Sequence, residues 1–94
     1  MTAPAKLTEP EIQEAVKSIP GWERNTDSIV RLYKFNDFNE AMVFVNRTAG
    51  LAERADHHPD ILIRYNKVTL TLSTHSAGGL TKKDFQLARE IDRS

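Results

Sequence analysis

The chain contains three histidines, His57, His58 and His75. Two of them stand together in the stretch ERADHHPDILIRYNKV, Glu53 to Val68, directly before Pro59. Imidazole offers three kinds of work here. It can cap or decorate a surface, as most histidines do. It can bind zinc, for which three ligands would leave an open coordination position. It can also move protons, because its ordinary pKa of about 6.5 lies near working pH, and two imidazoles facing one small molecule can act as acid and base. The zinc reading meets an obstacle. Adjacent residues in an extended segment project to opposite sides, so His57 and His58 do not easily share one ion.

These side chains must be brought together by the elements around them. Pro59 biases His58 toward an extended backbone and sets the start of the following strand. The segments DILIRY and VTLTLSTH read as adjacent antiparallel strands joined by a two-residue turn at Asn66-Lys67, with asparagine accepting the left-handed conformation. In such a hairpin the start of the first strand lies beside the end of the second. His57, His58 and His75 are therefore expected to meet at one end of a sheet.

Upstream, Thr8, Pro10 and Glu11 form a helix-start signal, and Ile12, Ala15, Val16 and Ile19 give one apolar face to a helix over about Glu9 to Ser18. PGW at Pro20–Trp22 breaks it. A hairpin follows from Trp22 to Phe35, with a turn around Asn25–Ser28 and with Ile29, Arg31 and Tyr33 alternating with Val30, Leu32 and Lys34. Asp37 and Glu40 start the longest helix, whose stripe is Phe38, Ala41, Met42, Val45, Ala49 and Ala52. Val43 and Phe44 fall off that stripe and are expected to face outward. Thr81 and Asp84 start the last helix, which buries Phe85, Ala88 and Ile91.

The order α-β-β-α-β-β-α predicts an α+β fold: a two-layer sandwich of a four-stranded antiparallel sheet with three helices on one face. The whole chain, residues 1–94, reads as a single domain, with residues 1–6 expected to be disordered. An open sheet face or edge and the outward Val43 and Phe44 predict a symmetric homo-oligomer.

Composition narrows the chemistry further. Thirteen basic and 13 acidic residues leave no net charge and so no global field to draw the protein to nucleic acid or an anionic membrane, which disfavours a polyanion partner and leaves only a local patch open. The absence of cysteine removes disulfides, thiolate nucleophiles and Cys-based zinc sites. No signal-peptide core or membrane-length apolar run is present, and a cytoplasmic protein is expected.

Glu53, His57-His58-Pro59, Tyr65, His75 and Asp84, at these spacings, resemble the signature of the pterin-4a-carbinolamine dehydratases. HHP, YNKV and LSTH are uninterrupted pieces of it, and PGW and FNDFNEAMVFV are also similar, so the resemblance covers the chain from Leu7 onward. It implies elimination of water from a 4a-hydroxytetrahydropterin to give the quinonoid dihydropterin, the recycling step after an aromatic amino acid hydroxylase. It implies no metal and no cofactor, the pterin being the substrate. The catalytic set is then His57, His58 and His75, with Glu53, Asp56 and Asp84 orienting imidazoles or biasing their charge. Pro59, Thr74, Ser76 and Ala77 join the histidines in contacting substrate, and Trp22 could supply an aromatic wall. Ser76 and Ala77 replace an acidic residue and a cysteine of some relatives, which bears on substrate preference. The resemblance also implies a homodimer or homotetramer, and one further class of function: some members serve as dimerisation partners of a transcription factor, so a non-enzymatic, coactivator-type binding protein is the alternative.

Overall fold

Each helix begins where a side chain closes its free amides. In the computed structural model, which describes residues 5–94, Thr8 caps helix α1 (Glu9–Val16) and Glu11 returns to accept from the Thr8 amide at 2.8 Å. That backbone hydrogen bond holds the Glu11 carboxyl below the usual glutamate range. Asp37 caps α2 (Phe38–Ala55), and Thr81 with Asp84 forms a reciprocal box at α3 (Lys82–Arg93). Strands β1 (Glu23–Asn25), β2 (Ser28–Lys34), β3 (Asp60–Arg64) and β4 (Lys67–Leu72) complete the expected order, with a short 3₁₀ turn at His75–Ala77.

The strands form one antiparallel sheet in the order β1-β2-β4-β3. Ile29 pairs with Leu72, Arg31 with Leu70 and Tyr33 with Val68. Since strand side chains alternate, these residues share one face, where the buried Ile29, Val68, Leu70 and Leu72 join Ile12, Ile19, Phe44, Phe85, Leu87 and Ile91 in the core. The opposite face carries Val30, Thr69, Thr71 and the half-exposed Leu32 and Leu62. No helix is long and apolar enough to cross a membrane among the described residues.

Three expectations are corrected. Helix α1 ends at Val16, two residues before Ser18. The β3–β4 turn is Tyr65-Asn66, one residue early: Tyr65 takes the left-handed conformation (φ 54°), while Asn66 uses its carbonyl and side-chain amide to hold Phe35 at 2.8 and 2.9 Å. Phe44 does not face outward. It is 4% exposed and stacks between Tyr33 and Phe35, at centroid distances of 4.5 and 5.1 Å, because the buried stripe of α2 runs Ala41, Phe44, Thr48, Ala52. Val43 is 65% exposed, as expected, and Phe38 is also half-exposed. The disorder expected of residues 1–6 lies mostly outside the described residues; Ala5 and Lys6 are exposed, and the Leu7 amide donates to the Leu80 carbonyl at 2.9 Å.

Thr48 sits in that stripe with its hydroxyl buried and, among the described residues, without a partner. A buried hydroxyl that makes no hydrogen bond costs about 1–3 kcal/mol. Thr48→Val keeps the shape and removes the polar atom, so it is expected to stabilise the fold by about 1 kcal/mol. Urea denaturation of the two proteins checks this, and a Thr48→Val midpoint below the parent's refutes it.

Candidate active site

The site begins with the way α2 stops. Asp56 closes the helix in the left-handed conformation (φ 50°), its amide reaching the Ala52 and Glu53 carbonyls. The His57 amide follows to the Ala52 carbonyl at 3.1 Å. This turn sends the next two side chains to different carboxylates. The Asp56 carboxylate itself accepts no hydrogen bond among the described residues, and its backbone makes the turn.

His57 turns inward. Its Nε2 lies 2.5 Å from Asp84 Oδ1, with the imidazole nearly buried and the Asp84 side chain fully so. The other oxygen of Asp84 accepts from the Thr74 hydroxyl and from the Thr81 amide, each at 2.9 Å. With Oδ2 taken by two donors, Oδ1 is left to accept the Nε2–H of His57, which leaves Nδ1 without a proton in the neutral ring. The Thr74 proton being committed to Asp84, the Thr81 hydroxyl donates to Thr74 Oγ1 at 2.8 Å. One buried carboxylate therefore caps α3, fixes an imidazole at the end of α2, and ties down the residue preceding His75.

His75 opens the 3₁₀ turn, one residue past Thr74, and is exposed with Ser76, while Ala77 is half-buried. The turn is pinched at its base by two backbone hydrogen bonds between Thr74 and Gly79, at 3.0 and 3.3 Å. His58 faces outward, 57% exposed, with Nε2 on the Glu53 carboxylate one turn back in α2. Pro59 follows, half-buried, and leads into β3, whose Asp60 pairs with Thr71 of β4. The residues around His57, His58 and His75 thus come from the end of α2, the open end of the β3–β4 hairpin and the start of α3. His57 and His58 engage separate carboxylates, and among the described residues no three His, Asp or Glu side chains gather as a metal-ligand set.

Trp22 does not form the expected wall. It is 5% exposed, and its indole N–H donates to Asp92 at 2.8 Å. Asp92 lies eight residues beyond Asp84 in α3, about 12 Å along the helix axis. It gathers two more donors, Arg31 at 3.1 Å and the Tyr33 hydroxyl at 2.5 Å. Burial, together with that hydrogen bond and the Asp92 charge, pushes the Tyr33 phenol well above its ordinary range. Gly21 is required beside Trp22: it has φ +94°, and a Cβ there would meet the Arg31 guanidinium at 2.7 Å. PGW is accordingly an anchor for the far end of α3.

Thr81 and Asp92 are the contributors that reading the sequence did not single out for the site or its support. The spacing of Thr81 and Asp84 announces a cap, and nothing local announces that the same two residues continue into Thr74 and His57.

The sequence and the fold have counterparts. A protein of Thermomicrobium roseum, provisionally named pterin-4-alpha-carbinolamine dehydratase, is 56% identical over 87 residues, 93% of this chain and 94% of that one. A Picosynechococcus protein with the same provisional name is 52% identical over 88 residues, 94% of this chain and 96% of its own. Among solved structures, the crystal structure of a transcriptional coactivator/pterin dehydratase from Brucella melitensis superimposes with a TM-score of 0.89 at 40% identity, covering 94% of this chain and 96% of that chain. A family model described as pterin 4 alpha carbinolamine dehydratase matches residues 5–94. Matched by the family model over residues 5–94 and by relatives more than half identical over most of its length, this chain belongs to the pterin-4a-carbinolamine dehydratase family.

Proposed function

We propose that the protein eliminates water from a 4a-hydroxytetrahydropterin, giving a quinonoid dihydropterin by histidine acid–base catalysis. The observation that carries this reading is the His57–Asp84–Thr74 connection, which fixes one imidazole through a buried carboxylate and joins it to the segment bearing His75. In the reaction, an acid protonates the departing 4a-hydroxyl, the C4a–O bond breaks, and a base removes the N5 proton as the C4a=N5 bond forms. One water leaves and the electron count of the ring system is unchanged. His57 has Nε2–H on Asp84 and His58 has Nε2 on Glu53, so Nδ1 is the remaining nitrogen of each ring. These two serve the leaving hydroxyl and the N5 side. His75 completes the acid–base set and holds the ring, together with Pro59, Thr74, Ser76 and Ala77. Neither a metal nor a cofactor has a step to perform, and the product fits the recycling of a hydroxylase cofactor in the cytoplasm.

Turnover of chemically generated 4a-hydroxytetrahydropterin, followed by stopped-flow absorbance, tests the reading. The purified protein is expected to accelerate loss of the carbinolamine, with the same rate before and after exhaustive chelation. No acceleration would remove the dehydratase assignment. Loss of activity on chelation, restored by zinc, would replace it with metal chemistry. Histidine ring NMR is the suitable binding probe, since Trp22 is buried among other partners.

The active oligomer we infer is a homodimer or a dimer of dimers, each site lying largely within one subunit. Val43 projects from α2 and β3 is an edge strand with Ile61 and Leu62 exposed, so either surface can meet a second copy. Burying one such side chain contributes about 1.5–3 kcal/mol. Sedimentation at micromolar concentration is expected to show the oligomer, and Val43→Glu to shift it toward smaller species. A parent that sediments only as monomer contradicts the inference, and an unshifted Val43→Glu places the contact at the β3 edge. Phe44 cannot serve for this test, because a charge there would enter the core.

A further inference from the structure

Between the end of α2 and the outer side of α3 runs a groove of about 600 Å³. Leu51, Ala55 and the buried Leu87 form its floor, and Arg54, Lys83, Arg89 and Arg93 its rim. Its one acid, Glu90, is already paired with Arg93 at 3.3 Å. In a chain with equal numbers of acids and bases, this is a local excess of positive charge. Arg93 lies in the last turn of α3 and Arg54 in that of α2, so helix electrostatics accounts for those two. Lys83 has no such reason. It lies in the first turn of α3, where the helix dipole disfavours a cation. Arg54 lines the same groove from α2. Neither Lys83 nor Arg54 forms an ion pair among the described residues.

We propose that this groove binds a small organic anion, its charged head between Arg54 and Lys83 and its apolar body over Leu51, Ala55 and Leu87. Cations that line one groove without ion-pair partners repel, and an anion held there offsets that cost while forming charge-assisted hydrogen bonds. The volume suits a ligand of that size, and an apolar floor with a few polar groups at one end is how such sites fix orientation. A phosphate or carboxylate supplies the head. The site is separate from the histidines, although Arg54 follows Glu53 and Lys83 precedes Asp84 in the chain.

The test uses phenyl phosphate as probe, with inorganic phosphate as a head without a body and phenol as a body without a head. Methyl NMR of the full-length protein is expected to show saturable shifts at Leu51, Ala55 and Leu87 with phenyl phosphate. Inorganic phosphate is expected to bind at least about tenfold more weakly, and phenol without saturation below about 10 mM. Arg54→Gln with Lys83→Gln, both at the rim and outside the core, is expected to weaken phenyl phosphate at least about tenfold. Arg24→Gln, remote from the groove, is the charge control and is expected to leave it unchanged. Unsaturated shifts, affinity unchanged in the double variant, or equal weakening by Arg24→Gln would each overturn the proposal.

Discussion

Replacing His75 with alanine is expected to slow dehydration about a hundredfold or more, the usual consequence of losing a positioned acid or base, while changing stability by less than about 1 kcal/mol. The separation of the two effects follows from its place: an exposed side chain on a turn whose ends are pinned by Thr74 and Gly79 supports nothing behind it. His57→Ala is expected to lose as much activity and, unlike His75→Ala, about 1–3 kcal/mol of stability, because a buried oxygen of Asp84 loses its partner. The buried Asp84 carboxylate separates the two residues. Single-turnover rates and denaturant midpoints, measured together, check both. Unchanged turnover in the two variants would remove the histidines from catalysis.

Asp84→Ala is expected to give the largest combined loss. It withdraws the acceptor from His57, Thr74 and the Thr81 amide at once, in a place water does not reach. Breaking a buried, hydrogen-bonded charge site costs about 3–5 kcal/mol. The catalytic loss, about 10²–10⁴-fold, arises because His57 is no longer held with its proton on Nε2. Asp84→Asn keeps the volume but brings donors toward donors, so it is expected to fold while remaining impaired by at least about a hundredfold. The comparison that isolates positioning from capping is Thr81→Ala, which removes the cap hydroxyl and leaves the carboxylate facing His57. An Asp84→Asn enzyme no slower than Thr81→Ala would reduce Asp84 to a helix cap.

Much of this was legible in the sequence, because it depends on neighbours along the chain. Caps at Thr8, Asp37 and Thr81 are satisfied within three residues, strand alternation selects a face locally, and a tight hairpin forces its two ends together. The meeting of the histidine segments follows from that hairpin, and the family signature from fixed spacings. What the tertiary structure decided lies in side chains with two competing destinations. Phe44 could have turned to solvent or to Tyr33 and Phe35, and only the position of β2 against α2 settles it. Trp22 could have walled a ligand, and Asp92 took its N–H because the end of α3 packs beside it. Asp84 could have been a cap or a partner for imidazole, and it is both. A carboxylate has two oxygens: spacing along the chain shows only the one turned to its own helix, while the other finds His57 27 residues away through the packing of α2 against α3.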